Sequence, residues 1–212
     1  MKRASHPGGF TMIELLVTIA IAAILLGLAV PSFMDFLRNT RLTTQANDLV
    51  LAFAYAKSEA VKRGVRVTVC SRQNDTTCAG SATWDTGYLV FVDRDGQGDF
   101  EPDEDANQNC NLDTGEDANG NGVLDADCIL QVRAGLEGGN TMRASGGLQE
   151  AVFLSTGYTS GDAATFTFCD VRGASNAEAV ILSLQGRARS ATDGADADSI
   201  VEDGSGNNVT CP

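Results

Sequence analysis

The sequence has 212 residues, enough for one membrane helix and one globular domain, and its hydrophobic content of 43% is that of an ordinary folded protein. Its formal net charge of −13 is unevenly distributed: residues 93–128 hold twelve acidic residues against Arg94 alone, and residues 190–212 hold five and no basic residue. The only histidine is His6, which argues against zinc sites and histidine-based catalytic triads, and we find no nucleophile paired with a base, so an enzyme is not predicted.

A long apolar stretch near the N-terminus predicts a membrane helix. No residue from Leu15 to Met34 is charged, and twenty helical residues at about 1.5 Å each would span a hydrocarbon core of roughly 30 Å. Glu14 lies at the start of this stretch, where a carboxylate facing lipid would cost roughly 2.5–3.5 kcal/mol. A partner must therefore offset the charge of Glu14.

The residues ahead of the helix are ordered differently from a secretory signal peptide, in which small residues at the cleavage site follow the apolar region. Here Gly8-Gly9-Phe10 precedes it, and Glu14 follows Phe10 by four residues. This order resembles the type IV prepilin leader, and GFTMIELLVTIAIAAILLGLAVPSF as a whole resembles type IV pilin-like proteins. SEAVKRG at 58–64 and LSLQGRAR at 182–189 resemble the GspH/FimT minor pilins and pseudopilins. The alternative is an ordinary signal anchor in which Glu14 is accidental.

The resemblance implies an α+β type IV pilin fold: a leader at 1–9, a helix at 10–64 whose transmembrane part is 10–34, and an antiparallel β-sheet domain at 65–212. It implies cleavage after Gly9, N-methylation of Phe10 and pairing of Glu14 with the N-terminal amine of a neighbouring subunit. The expected partners are prepilin peptidase, the inner membrane and other pilins or pseudopilins. The protein would be a single-pass inner-membrane protein with a periplasmic domain before assembly, and then part of a surface filament.

The second half of the helix carries an apolar stripe. Its predicted members recur at helical spacing, with charged residues largely outside the stripe: Ala46, Leu49, Val50, Phe53, Ala54, Ala60 and Val61. Pro31, inside the helical pattern, should kink the helix. Gly64 suits a left-handed cap at the C-terminus of the helix. We therefore expect this half to pack on a sheet.

Alternating or apolar runs separated by glycine-rich turns predict the strands of that sheet. They are Arg66–Cys70, Tyr88–Val92, Ile129–Arg133, Ala151–Leu154, Thr165–Cys169 and Ala179–Leu184. The connections have no room for crossover helices, so the sheet should be antiparallel. Trp84 is interpreted as core or edge packing rather than as a binding platform.

Six cysteines in an exported chain favour disulfides. Six cysteines allow fifteen pairings, which the sequence leaves open. The local pairs are the simplest: Cys70 with Cys78, Cys110 with Cys128, and Cys169 with Cys211.

The acidic insert at 93–128 is a twelve-residue repeat: DRDGQGDFEPDE, DANQNCNLDTGE and DANGNGVLDADC. Its oxygen-bearing positions match those of calcium loops, and Phe100, Leu112 and Leu124 recur at position 8. The predicted ligands, including three backbone carbonyls, are Asp93, Asp95, Gln97, Asp99, Glu101, Glu104, Asp105, Asn107, Asn109, Asn111, Asp113, Glu116, Asp117, Asn119, Asn121, Val123 and Asp125. The insert resembles thrombospondin type 3 or dockerin-type repeats, which implies bound Ca²⁺.

Three residues depart from the calcium-loop pattern: Gln97 is an uncommon ligand, Cys110 replaces glycine, and Cys128 takes the last position, leaving Asp127 as a substitute ligand. The alternative is a disordered acidic loop, because runs of charge are usually solvated.

Gly186-Arg187-Ala188-Arg189 should form a turn after the last strand. The resemblance to the DNA-uptake branch of the family implies weak DNA binding by Arg187 and Arg189, which can contact phosphates without sequence specificity. Residues 190–212 are expected to be a polar extension tied down by Cys211. The leading prediction is a minor type IV pilin supporting motility, adhesion or DNA uptake, and the alternative is a GspH-like pseudopilin of a type II secretion system.

Overall fold

The computed structural model describes residues 10–94, 110, 127–194 and 198–212. Its longest element is helix α1, Met12–Arg63, which continues through Pro31. The chain divides into two compact units, Met1–Thr40 and Arg41–Pro212. The predicted leader, including Gly9, lies outside the described residues.

Helix α1 ends where the sequence predicted. Lys62 and Arg63 occupy its last turn, where cations interact favourably with the helix dipole. Gly64 follows with φ of 71° and donates its N–H to the carbonyl of Ala60 at 2.9 Å. A left-handed residue after the helix is the geometry that glycine adopts without strain.

The strands form two antiparallel sheets, whereas the sequence predicted antiparallel strands without dividing them. Within the described residues the strands are β1 Arg66–Asn74, β2 Thr77–Cys78, β3 Tyr88–Asp93, β4 Cys128–Arg133, β5 Thr141–Ala144, β6 Glu150–Phe153, β7 Ala164–Cys169, β8 Glu178–Leu182 and β9 Ala188–Ser190. The first sheet has the order β2-β1-β3-β4 with β6 also paired to β1, and the second has the order β5-β7-β8-β9.

The six predicted strands are all present, and β2, β5 and β9 were missed. Two of the missed strands, β2 and β9, have only two or three residues, which is too short for an alternating pattern. The last predicted strand ends at Leu182 rather than Leu184, and Arg189 lies in β9 rather than in a turn.

The main core lies where the second half of α1 meets both sheets. Phe53 packs at 5.9 Å from Phe153 of β6 and at 5.1 Å from Phe166 of β7, measured between ring centroids. Trp84 meets Phe166 edge-on at 5.0 Å and donates its indole N–H to the carbonyl of Leu148 at 3.1 Å. The expected fold of a long helix packed on antiparallel strands is confirmed, as is the packing role of Trp84.

The buried face of the helix differs from the predicted stripe. Its buried residues are Leu42, Ala46, Leu49, Ala52, Phe53, Ala56, Glu59 and Ala60. Val50 is partly buried and packs against the core, but Ala54 and Val61 are exposed, so the predicted place of these two in the core was wrong. Each follows a buried residue by one position, which rotates it about 100° around the helix and away from the core.

The C-terminal segment is more than a polar extension. Val209 and Ala191 are buried, and with Ile181 they form a small second cluster on the face of β8 opposite the main core. The Cys169–Cys211 disulfide joins this segment to β7. The structure also contains the Cys70–Cys78 and Cys110–Cys128 pairs, so the three local disulfides are those present.

Candidate functional site

The N-terminal part of α1 presents apolar side chains that nothing in the described chain covers. An 18-residue window of the helix is apolar enough to cross a membrane, and none of that window is buried. Phe10 is 78% exposed, and Ile13 and Leu28 are 69% and 73% exposed. Apolar exposure on this scale marks a surface that meets lipid or another protein.

Glu14 lies in the first turn of this helix. Thr11 precedes the helix, accepts a hydrogen bond from the N–H of Glu14 on its Oγ1 at 3.3 Å, and accepts another from the N–H of Leu15 on its carbonyl at 3.1 Å. Thr-Met-Ile-Glu therefore has the spacing of a capping box, a signal that the sequence interpretation overlooked. Glu14 is exposed and has no ion-pair partner among the described residues.

The acidic insert connects β3 to β4, and two buried carboxylates stand at its base. Asp93 accepts a hydrogen bond from the hydroxyl of Thr68 at 2.9 Å, and Asp127 accepts one from the N–H of Arg94 at 2.9 Å. Their residues are 1% and 3% exposed. Cys110 is tied to the first residue of β4, Cys128. The two ends of the insert are therefore held together by the fold.

Of the predicted calcium ligands, Asp93 lies within the described residues, as does the substitute ligand Asp127. Asp95, Gln97, Asp99, Glu101, Glu104, Asp105, Asn107, Asn109, Asn111, Asp113, Glu116, Asp117, Asn119, Asn121, Val123 and Asp125 lie outside them. Asp93 already binds Thr68, so it has a structural role beside the predicted one. Calcium binding stays a prediction.

The predicted arginine motif lies at the β8–β9 connection. Ser183 and Arg187 close it, because the N–H of Ser183 donates to the carbonyl of Arg187 at 3.0 Å. Gly186 supports it with φ of 67°. Arg187 lies in the turn and Arg189 in β9, and both side chains are exposed.

An open groove of about 640 Å³ runs between the second half of α1 and this turn. Its lining combines apolar and cationic side chains: Val50, Ala54, Lys57, Ser58, Val61, Lys62, Gly186, Arg187 and Ala188. The Nζ of Lys57 donates to the carbonyl of Gln185 at 2.8 Å, which fixes one cation across the groove. We call it the helix–turn groove. The sequence signal for it was present, because Val50, Ala54 and Val61 are apolar residues beside the buried stripe.

Two ionisable side chains, those of Glu59 and Tyr88, have pKa values shifted from their ordinary values. Glu59 accepts hydrogen bonds from Arg63 at 2.6 Å and Lys62 at 3.2 Å, and the bond from Arg63 is the main reason that the pKa of the Glu59 carboxyl is lowered. Burial raises the pKa of the Tyr88 phenol to about 12, and its hydroxyl donates to the carbonyl of Asp48 at 3.2 Å. Tyr88 joins β3 to the helix, whereas the bonds of Glu59 lie within the last two turns of the helix itself.

Comparison with known proteins decides the family. The family model described as Type II transport protein GspH matches residues 45–186, and that of the prokaryotic N-terminal methylation motif matches residues 5–30. The chain belongs to the GspH family. The methylation-motif match covers Glu14 and most of the exposed apolar segment, and the GspH match covers most of the second half of the helix, most of the β domain and the insert.

Individual proteins resemble this GspH-family chain at low sequence identity. Two fimbrial proteins of Pseudomonas aeruginosa are each 30% identical over 90 residues, which are 42% of this chain and 54% of the relative. The chain therefore matches about half the length of these relatives. Two crystal structures of the type IV minor pilin FimU of Pseudomonas aeruginosa have TM-scores of 0.48 and 0.46 at 18% and 17% identity, covering 74% and 71% of this chain and 92% and 93% of theirs.

Proposed function

We propose that this protein is a minor type IV pilin that enters a filament through its N-terminal helix. The exposed apolar segment with Glu14 in its first turn carries the proposal. Such a segment can reside in the inner membrane before assembly and pack against the helices of other pilins afterwards. Residues 1–9 would be the leader removed by prepilin peptidase after Gly9, which frees the amine of Phe10 for methylation.

Glu14 would bind the N-terminal amine of a neighbouring subunit. Its carboxylate has no ion-pair partner among the described residues, and an unpaired carboxylate inside an apolar filament core would be strongly destabilising. A neighbouring ammonium group provides the opposite charge, and the attraction is strong where water is excluded. The same pairing would set the axial position of each subunit.

Mass spectrometry of the membrane-derived protein tests the processing step. The expected chain begins at methylated Phe10, and Gly9→Val should leave the leader attached. A chain beginning beyond Leu28 would instead show an ordinary signal peptide and contradict the proposal.

Glu14→Val tests the assembly step. The variant should stay in the membrane, because it loses only a charge in the apolar segment, while its amount in sheared filaments falls. Asp35→Asn is the matched control, since Asp35 is an exposed acid on the same helix. Normal incorporation of Glu14→Val would contradict the proposed pairing. Recovery with pilins in sheared pili supports a minor pilin, whereas recovery only with secretion-system pseudopilins supports the alternative, a GspH-like pseudopilin.

We also propose that the insert at 93–128 binds calcium. The support is its repeat of oxygen-bearing residues, and the base at Asp93 and Asp127 holds its two ends together. The isolated domain, residues 38–212, is suitable for the test because its buried apolar core begins at Leu42. Isothermal titration should show one to three ions bound at about 0.1–1 mM, with a rise in melting temperature.

The variant for this test is Asp105→Asn with Asp117→Asn, which spares Asp93 and its bond to Thr68. It should lose the shift in melting temperature, whereas Asp198→Asn in the C-terminal segment should keep it. Absence of heat and of any shift at millimolar calcium would favour a disordered acidic loop.

A further proposed activity is weak DNA binding at the β8–β9 turn. Arg187 in the turn and Arg189 in the following strand β9 are both exposed, and two arginines can contact phosphates without reading sequence. Gel shifts at about 50 mM salt should show binding that is lost in Arg187→Gln, Arg189→Gln and kept in the control Arg66→Gln, with a log–log salt slope of about −2. Equal retardation of wild type and double variant would remove DNA as a partner.

A further inference from the structure

The helix–turn groove is an apolar surface that the fold leaves open. Buried residues of α1 from Leu42 to Ala60 fill the core, and the exposed Ala54 and Val61 line the groove beside the partly buried Val50. Ala54 and Val61 are exposed, the latter by 52%. Apolar side chains beside an open groove of about 640 Å³ are typical of a surface that docks a partner.

The groove is lined by α1 and by the β8–β9 turn, and Gly157 lies against both. A side chain at Gly186 would approach the carbonyl oxygen of Gly157 to 2.3 Å, and one at Gly157 would approach Cε of Lys57 to 3.1 Å. The approach at Gly186 is to backbone, so a side chain there is excluded and the turn on one side of the groove is held in place by the fold. The approach at Gly157 is to the flexible end of the Lys57 side chain.

The charge of this end of the domain is opposite to that of the chain. Residues 50–64, 154–161 and 183–190 together carry five basic residues and one acidic residue, a net charge of +4 in a chain of net charge −13. Arg187 has no hydrogen-bond or ion-pair partner for its guanidinium among the described residues. The groove therefore suits an anionic partner that also has apolar side chains.

We propose that the helix–turn groove binds the acidic segment, residues 93–128, of a second copy of this chain. That segment carries a net charge of −11, and Phe100, Leu112 and Leu124 recur within it every twelve residues. Its chemistry complements both the cations and the apolar floor of the groove. Lys57 and Lys62 donate to Gln185 and Glu59, which holds both cations beside the groove.

The contact is of the head-to-tail kind, because groove and segment are different surfaces of the chain. Each bound copy still offers one free groove and one free segment, so association continues beyond a dimer. Attraction between opposite charges at the surface is screened within about 8 Å at physiological salt. Calcium bound to the segment would weaken the contact by reducing its negative charge. The contact concerns the isolated domain, so it does not depend on the proposed role of the membrane helix.

Sedimentation velocity of residues 38–212 in EGTA tests the contact. We expect concentration-dependent association at about 50 mM salt that is at least tenfold weaker at about 500 mM salt. The groove variant is Lys57→Glu with Arg187→Glu, and the segment variant has Asp95, Asp99, Glu101, Asp103, Glu104 and Asp105 changed to their amides. Each should be monomeric alone. Arg41→Glu with Arg66→Glu, two exposed arginines outside the groove, is the control that keeps associating.

Mixing the two variants provides the decisive measurement. The segment variant keeps an intact groove and the groove variant keeps an intact segment, so the mixture should form a one-to-one heterodimer. Melting temperatures near that of the wild type show that all the variants are folded. A wild-type domain that stays monomeric, a mixture that forms no heterodimer, or a segment variant that still associates would each overturn the proposal. So would a groove that binds oligonucleotide but no second copy.

Discussion

The two halves of helix α1 differ in whether their apolar side chains are buried. From Met12 to Thr40 the large apolar side chains are exposed, whereas from Arg41 to Arg63 eight residues are buried against the sheets. Each half also carries a glutamate. Glu14 has no ion-pair partner in the described chain, and Glu59 is buried between Arg63 and Lys62.

The difference shows that one helix can serve two kinds of partner. The second half is stabilised by the chain's own sheets, so its contribution to stability can be measured in an isolated domain. The first half has an apolar surface that no described residue covers and a carboxylate that no described residue pairs. Substitutions in the second half should therefore change the stability of the domain, whereas substitutions in the first half should leave that stability nearly unchanged.

The largest expected effect is that of Phe53→Ala. Phe53 is fully buried between both sheets, so its loss leaves a cavity and should lower the free energy of unfolding by about 3–5 kcal/mol. Urea unfolding of the full chain in detergent measures it, with the single, buried Trp84 as fluorescence probe. The matched change Phe33→Ala, at a residue 60% exposed, should alter this unfolding by less than about 0.5 kcal/mol. Equal losses in the two variants would show that the halves are not energetically separate.

Tyr88 should make the attachment of the second half sensitive to alkaline pH. Its folded pKa of about 12 exceeds the ordinary value of 10.0 because burial disfavours the phenolate. The contribution to stability is complete below pH 10 and is lost as pH rises toward 12, up to about 3 kcal/mol. Tyr88→Phe should lose about 1 kcal/mol at neutral pH, through its bond to Asp48, and flatten this pH dependence. Phenolate absorbance of all three tyrosines near pH 10 would contradict the raised pKa.

The smallest expected effect is that of Glu59→Gln. It weakens the hydrogen bonds from Arg63 and Lys62, so the domain should lose about 1 kcal/mol at pH 7. Because the folded pKa of Glu59 is lowered, its contribution is present above the ordinary value of 4.5 and disappears as pH falls through the folded pKa. Unfolding curves of wild type and variant should therefore converge in acid. Glu14→Gln, the matched change in the first half, should leave unfolding unchanged, and a loss at Glu59 that persists in acid would point to packing instead of charge.

The comparison also explains how much of the fold could be predicted. The apolar run, Glu14 and the Gly64 cap are local patterns, and they gave the helix and its C-terminal end correctly. The choice of core face was less certain, because Phe53 and Ala54 are both apolar and only the position of the sheets decides between them. Pairing across the chain, such as that of β6 with β1, is invisible in a local pattern. For that reason the division into two sheets was not predicted.

The candidate sites also differ in how far they could be predicted, because some depend on residues close in sequence and others on contacts between distant parts of the chain. Arg187 and Arg189 are close in sequence, so their common location followed from the motif. Lys57 comes from the helix and meets the turn only through tertiary structure, which is why the groove was not predicted. The polar composition of the C-terminal segment concealed Val209, whose burial depends on the uncovered face of β8.

The buried Val209 and the Cys169–Cys211 disulfide have a consequence for biogenesis. The outer face of β8 cannot be covered until Val209 has been synthesised, and the Cys169–Cys211 disulfide, which forms where thiols are oxidised, then holds the segment in place. Until then, Ile181 stays open to proteases and to other apolar surfaces. A chain stalled before this point would differ from a finished one in a way that quality-control proteases can detect. The Cys169–Cys211 disulfide would thus distinguish a finished chain from an unfinished one.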